Sequence, residues 1–202
     1  LARLAHSAQS FGFPFDRDAL VNEVARACAS LSGDGAYRMR LTLAAGGAVS
    51  VTAAPLSPLH ASWDAPVRLL TASQSRQAVH SLAAHKTTLR AGYDAAWQAA
   101  EREGAFDTVF FNADGTLAEG GRSTVLVKLG GAWWTPPLSA GILPGVMRSV
   151  LLEDAAPWLG GPLRERVLTR DDVARAEALA VCNALRGVVP AHFEPPLAVD
   201  VL

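Results

Sequence analysis

Apolar residues recur at helical spacing from Leu1 through Leu4, Ala5, Ala8 and Phe11, and Gly12 with Pro14 marks the stop. Asp16 can cap a second helix whose apolar face is Leu20, Val21, Val24, Ala25 and Cys28, ending before Ser32-Gly33-Asp34-Gly35. The period then changes to two. Tyr37 to Leu43 alternates, Gly46-Gly47 turns, and Val49 to Thr52 pairs back, which predicts a hairpin closed by Pro55 and Pro58. A third strand is expected from Val67 to Thr71. The polar stretch Ala72-Ser73-Gln74-Ser75-Arg76-Gln77 follows it and reads as a linker, which puts a domain boundary near residue 78.

Beyond that point a helix is predicted from Arg90 to Glu103, stopped by Gly104, and then an apolar strand from Asp107 to Phe111 ending in the turn Asn112-Ala113-Asp114-Gly115. Ser123 to Leu129 and Ala132 to Thr135 flank Gly130-Gly131 as a second hairpin. Pro144 opens a helix expected to run towards Trp158. Short strands at Arg166 to Leu168, Ala178 to Cys182 and Val188-Val189, with a short helix from Asp171, complete the chain. The class is α+β in two domains: 1–78, small, and 79–202, larger and richer in strands.

Composition removes several classes of function. Of 202 residues half are hydrophobic and 18% are charged, with 18 Lys and Arg against 19 Asp and Glu, so a basic nucleic-acid surface is not expected. No apolar run reaches the roughly 20 residues of a membrane-spanning helix. Cys28 and Cys182 lie far apart, outside any CxxC pair, which suggests a reducing, cytoplasmic setting, and the five histidines show no metal-ligand spacing. Lysine is scarce: Lys86 and Lys128 stand among 16 arginines.

That scarcity focuses attention on amine chemistry. Lys86 sits in His85-Lys86-Thr87-Thr88-Leu89-Arg90 at the start of a predicted helix, where the helix dipole and cationic neighbours disfavour a charged ammonium. A neutral amine is what Schiff-base chemistry needs. Taken alone, a solvated lysine is the commoner reading. Lys128, on an alternating strand beside a turn, is expected to face water. Glu119, before Gly120-Gly121, reads by itself as a polar loop residue between two strands. Gly141-Ile142-Leu143-Pro144-Gly145-Val146-Met147-Arg148 leads into a helix N-terminus, whose free N–H groups suit a phosphate, although Pro-Gly is also an ordinary helix entry. Arg3 could contact a phosphate or lie on the surface of an amphipathic helix. Tyr93 and Arg186 are weaker candidates for a substrate contact.

Taken in order, His85-Lys86-Thr87, Glu119-Gly120 with Ser123, Thr135 through Arg148, and Cys182-Asn183-Ala184-Leu185-Arg186-Gly187-Val188-Val189-Pro190 resemble the class IV pyridoxal-phosphate enzymes. Arg3-Leu4-Ala5-His6-Ser7-Ala8 is similar to the family's first-helix pattern, so the likeness covers essentially the whole chain. The resemblance implies a two-domain fold binding pyridoxal 5'-phosphate. Lys86 corresponds to the lysine that bonds the cofactor and shuttles a proton, and Glu119 to the acid on the pyridine nitrogen. Arg3 corresponds to a phosphate-binding arginine, and Val146 and Met147 to residues whose backbone amides hold that phosphate. Ala184 falls where many aminotransferases carry a hydroxyl.

The wording "G-V-M-R" and "N-A-L" is similar to aminodeoxychorismate lyases, which convert 4-amino-4-deoxychorismate to 4-aminobenzoate and pyruvate in folate biosynthesis. The "HKTTLR" wording resembles lyase domains fused behind an aminodeoxychorismate synthase component. Two alternatives stay open: an aminotransferase for branched-chain or D-amino acids, and a non-catalytic domain that docks to a synthase partner. The resemblance further implies a homodimer and a small-molecule substrate. It also implies leading strands before the first helix. These are absent from this sequence and are expected upstream of Leu1, the other reading being an inactive remnant.

Overall fold

The structure is a computed structural model that describes residues 1–76, 82–195 and 197. The chain forms two compact units, Leu1–Leu59 and His60–Leu202. In the first, helix α1 (Ala2–Phe11) ends at Gly12, whose φ of 67° lets its N–H reach back to the carbonyls of Ala8 and Gln9. Helix α2 (Arg17–Ala29) starts at Asp16, whose carboxylate accepts from the N–H groups of Asp18 and Ala19 at 2.9 and 3.0 Å. Strands β1 (Tyr37–Leu43) and β2 (Val49–Pro55) pair antiparallel from Tyr37↔Pro55 to Leu43↔Val49. Leu20 is fully buried on α2, whereas Val21, expected on the same apolar face, is exposed.

The second unit contains β3 (Val67–Thr71), α3 (Ala91–Arg102), β4 (Asp107–Phe111), β5 (Leu117–Gly120), β6 (Thr124–Leu129), β7 (Ala132–Thr135), α4 (Val146–Glu153), α5 (Ala156–Leu159), β8 (Leu163–Glu165), α6 (Arg170–Ala174), β9 (Ala178–Asn183) and β10 (Gly187–Phe193). Its eight strands form one mixed sheet in the order β5-β4-β3-β10-β9-β6-β7-β8. The division of the chain therefore falls between Leu59 and His60, not near residue 78. The reason is β3. It pairs in parallel with both β4 and β10, so it belongs to the large sheet and not to the domain that precedes it in sequence.

Strands β5 and β6 are consecutive in the chain yet five places apart in the sheet. A flat sheet would separate them by about 24 Å, while the connection 121–123 spans at most about 14 Å. The sheet accordingly curls, and the Gly120 N–H donates to the Ser123 carbonyl at 2.8 Å where the two strands meet. On the other side of the unit, Met147 and Leu151, one turn apart on α4, pack with Leu126, Trp133, Leu163, Ala180 and Cys182. This core seats α4 against β8 and β9.

Three expected elements come out differently. The helix running towards Trp158 is broken into α4 and α5 at Asp154-Ala155, because Pro157 has no N–H to continue the helical ladder. The strand expected at Arg166 to Leu168 lies earlier, at β8, beside β7. The segment around Glu119 is a buried strand instead of a loop. Among the described residues no helix is long and apolar enough to cross a membrane.

Candidate functional site

Glu119 is the centre of the second unit's polar interior. It sits on β5 with Leu117 and Ala118, both inaccessible to solvent, and is itself only 7% exposed. A buried carboxylate needs partners, and this one has three. Its Oε1 accepts from Arg76 Nη1 at 3.2 Å and from the Tyr93 hydroxyl at 2.8 Å, and its Oε2 accepts from the Leu143 N–H at 3.0 Å. An ionised carboxylate has about four acceptor positions. One remains on Oε2, so the group has capacity for one further donor.

Each partner comes from a different element. Arg76 follows β3, and its backbone is held at the end of β4 by N–H donation to Phe111 O and acceptance from Ala113 N–H. Tyr93 is in the first turn of α3. Burial first, then the charge and hydrogen bond of Glu119, push its phenol well above the usual range, so it remains a donor. Arg76 and Arg90 oppose that shift and lie 4.9 and 5.3 Å from the Tyr93 ring centre.

Leu143 carries the network into the loop that precedes α4. Gly141, at φ 72°, ends a short 3-10 turn over Leu138–Ala140 and offers its carbonyl to Arg76 Nη2 at 2.9 Å. The Asn112 side chain donates to the Ala140 carbonyl at 3.1 Å. Gly145 is the N-cap residue of α4, with no side chain capping the helix, and a Cβ placed there would stand 3.0 Å from Thr124 Oγ1. The amides of Val146 and Met147 thus open an uncapped helix behind a tightly seated glycine. Met147 buries its side chain in the core while Val146 is half exposed.

Ala184 is exposed in the β9–β10 turn, where Asn183 Oδ1 accepts from the N–H groups of Leu185 and Arg186. The register Thr124↔Cys182 puts this turn at the same end of the sheet as Thr124, the residue against which Gly145 rests. Lys86 lies in the irregular segment 82–90 that leads into α3. It is exposed, so burial does not supply the desolvation expected for it, although His85 and Arg90 flank it as expected. Arg3 is on α1 in the first unit, where burial lowers its pKa. Cys182 is a packing thiol, pushed up to about 12 by burial.

This donor set suits one particular kind of cofactor. A buried carboxylate with one open acceptor position matches a protonated ring nitrogen, and uncapped amides behind a glycine match a phosphate. The residues fit pyridoxal phosphate. The sequence pattern that defines amino-transferase class IV matches residues 1–192. The chain belongs to the class IV aminotransferase family. Members of this family are pyridoxal-phosphate enzymes.

Relatives within the family divide between two activities. A Schizosaccharomyces pombe protein provisionally named aminodeoxychorismate lyase is 28% identical over 194 residues, which is 93% of this chain and 79% of that protein. The Escherichia coli branched-chain-amino-acid aminotransferase is 26% identical over 91 residues, 45% of this chain and 29% of that enzyme. Among solved structures, a provisionally named amino-acid aminotransferase from Mesorhizobium loti superposes with a TM-score of 0.83 at 32% identity, covering 95% of this chain and 88% of that one.

Sequence reasoning missed two of the residues that build this class IV site. Arg76 fell inside a stretch read as a linker, and nothing in that polar run marks it. In the sequence Tyr93 reads only as a weak candidate for a substrate contact. Its position in the first turn of the helix after Lys86 is the one signal that could have suggested more.

Proposed function

We infer that this class IV enzyme is an aminodeoxychorismate lyase, converting 4-amino-4-deoxychorismate to 4-aminobenzoate and pyruvate in folate biosynthesis. The observation that carries the reading is the pair of residues at the phosphate end, Met147 and Ala184. Neither brings a hydroxyl to that end, and this is the lyase-like wording. The more extensive match to the S. pombe relative supports the same choice.

Pyridoxal phosphate, when bound, supplies a ring that withdraws electrons from the carbon attached to the substrate nitrogen. Lys86 would hold the cofactor, and its amine would serve as the base that takes the proton from the ring carbon bearing the amino group. Loss of the enolpyruvyl oxygen from the neighbouring carbon completes the aromatic ring, and the enolpyruvate takes up a proton to become pyruvate. Glu119 would keep a proton on the cofactor nitrogen. The amides of Val146 and Met147 would hold its phosphate, and Ala184 leaves that end uncrowded. No amino acceptor is consumed. We expect a homodimer that meets its substrate free or from an aminodeoxychorismate synthase component, fused or associated.

The test is incubation of the protein with pyridoxal phosphate and aminodeoxychorismate in the absence of any keto acid. Release of 4-aminobenzoate, abolished by Lys86→Ala, is the expected result. Turnover only when a branched-chain or D-amino acid and a keto acid are both supplied would make the enzyme an aminotransferase. No cofactor uptake at all would leave the docking domain.

A further inference from the structure

We propose that Arg76 is a positioning residue that keeps Glu119 ionised and fixes it to the loop entering α4. The proposal rests on the reading of Glu119 as the acid on the cofactor nitrogen. Its basis is the geometry of one guanidinium serving two acceptors: Nη1 reaches Glu119 Oε1 at 3.2 Å and Nη2 reaches the Gly141 carbonyl at 2.9 Å. Both side chains of the ion pair are about nine-tenths buried, at 10% and 9% exposure. The plane of the guanidinium also covers the Tyr93 ring, 4.9 Å from its centre, with Phe110 at 6.0 Å.

The groups that face Glu119 show why the arginine is decisive. Tyr93 from α3 and the Leu143 amide donate hydrogen bonds but bring no positive charge, and Arg90 stacks on Tyr93 without a hydrogen bond to Glu119 among those described. Among the described residues, Arg76 is the cation in direct contact. A buried carboxylate stripped of its cation is strongly destabilised and relieves this by taking up a proton. A neutral carboxyl could still form a hydrogen bond, but it could not balance the positive charge of a protonated ring nitrogen. Arg76 therefore acts on the reaction only through Glu119 and the Gly141–Gly145 loop. Lysine could replace its charge but not its two-pronged reach, because an ammonium is a point charge on a flexible stem.

The test compares Arg76→Met, Arg76→Lys and the wild type, with folding checked by circular dichroism. In the cofactor-free proteins, infrared spectra at neutral pH should show a protonated-carboxyl band in Arg76→Met that is absent from the wild type, from Arg76→Lys and from Arg76→Met/Glu119→Gln. In titrations with pyridoxal phosphate, Arg76→Met should bind on the order of tenfold more weakly, with an altered visible spectrum, and Arg76→Lys should recover most of the spectrum but less of the affinity. An Arg76→Met protein lacking the carboxyl band overturns the proposal, as does one with the wild-type spectrum and affinity. If Arg76→Met does not fold, an Arg76→Lys protein that shows the carboxyl band, or that matches the wild type in affinity, overturns it instead. Failure of the wild type to take up the cofactor, with no pyridoxyl group left on Lys86 after borohydride reduction, defeats the functional reading separately. The infrared arm still decides the role of Arg76 in that case.

Discussion

Two buried carboxylates on adjacent strands, Asp107 on β4 and Glu119 on β5, solve the same problem in opposite ways. Asp107 is inaccessible to solvent and accepts from the Thr108 N–H at 2.9 Å, the Arg122 N–H at 3.1 Å and the Ser123 hydroxyl at 2.6 Å. Its hydrogen-bond donors are neutral, the Thr108 amide on its own strand and an amide and a hydroxyl of the β5–β6 connection, and burial raises its pKa despite them and the weaker pull of the Arg122 charge. Glu119 instead has a guanidinium beside it and one acceptor position to spare. The first carboxylate locks a turn. The second forms an ion pair and leaves an acceptor position open. Gly120 and Gly121 lie between the two, and a Cβ at Gly120 would fall 2.4 Å from Asp107 Oδ2, so the turn can close over Asp107 only because these residues are glycine.

The comparison can be broken most severely at Glu119. Glu119→Gln should lower the turnover proposed for this enzyme by on the order of 10³-fold, equivalent to about 4 kcal/mol. Chemical denaturation of the same variant, set beside Asp107→Ala, tells whether that loss reflects chemistry or folding. Asp107→Ala orphans two buried donors and one half-buried one and should cost about 3 kcal/mol of stability. A stability loss in Glu119→Gln as large as that of Asp107→Ala would erase the distinction between the two carboxylates.

Smaller changes sharpen it. Tyr93→Phe removes a donor to a charged acceptor and should weaken cofactor binding by roughly tenfold, measured by absorbance titration, with little effect on the fold. Ser123→Ala removes a hydroxyl from Asp107 and should cost about 1 kcal/mol in a denaturation curve, leaving the cofactor spectrum unchanged. The smallest effect is in pH. Because burial raises the folded-state pKa of Asp107 above its ordinary 3.8, its contribution to stability is complete below that value and is lost as pH rises through the raised one. The stability advantage of the wild type over Asp107→Asn should therefore shrink from acid towards neutral pH. A gap that widened instead would mean that the cationic and hydrogen-bonding partners of Asp107 outweigh its desolvation.

Local signals were sufficient for most elements. The cap at Asp16, the αL stop at Gly12, the alternation of β1 and the Gly-Gly turns are interactions between near neighbours, and these elements lie where the pattern puts them. Errors occurred where distant segments compete. Β3 looks like the last strand of the first domain until its pairing with β4 and β10 is seen. Leu117 to Gly120 is too short and too mixed in polarity to read as a strand, and its burial comes from the curl of the sheet.

The amino-acid sequence by itself determined the family, the α+β class and the identities of Lys86, Glu119, Val146, Met147 and Ala184 as candidates, because residue types and their order along the chain are enough for that. Only the tertiary structure decided which groups surround Glu119. A guanidinium from after β3, a phenol from α3 and an amide from the loop before α4 converge there through sheet pairing and curl. Hydrogen bonds of this kind join residues 24, 26 and 43 positions apart, and no local pattern specifies such contacts.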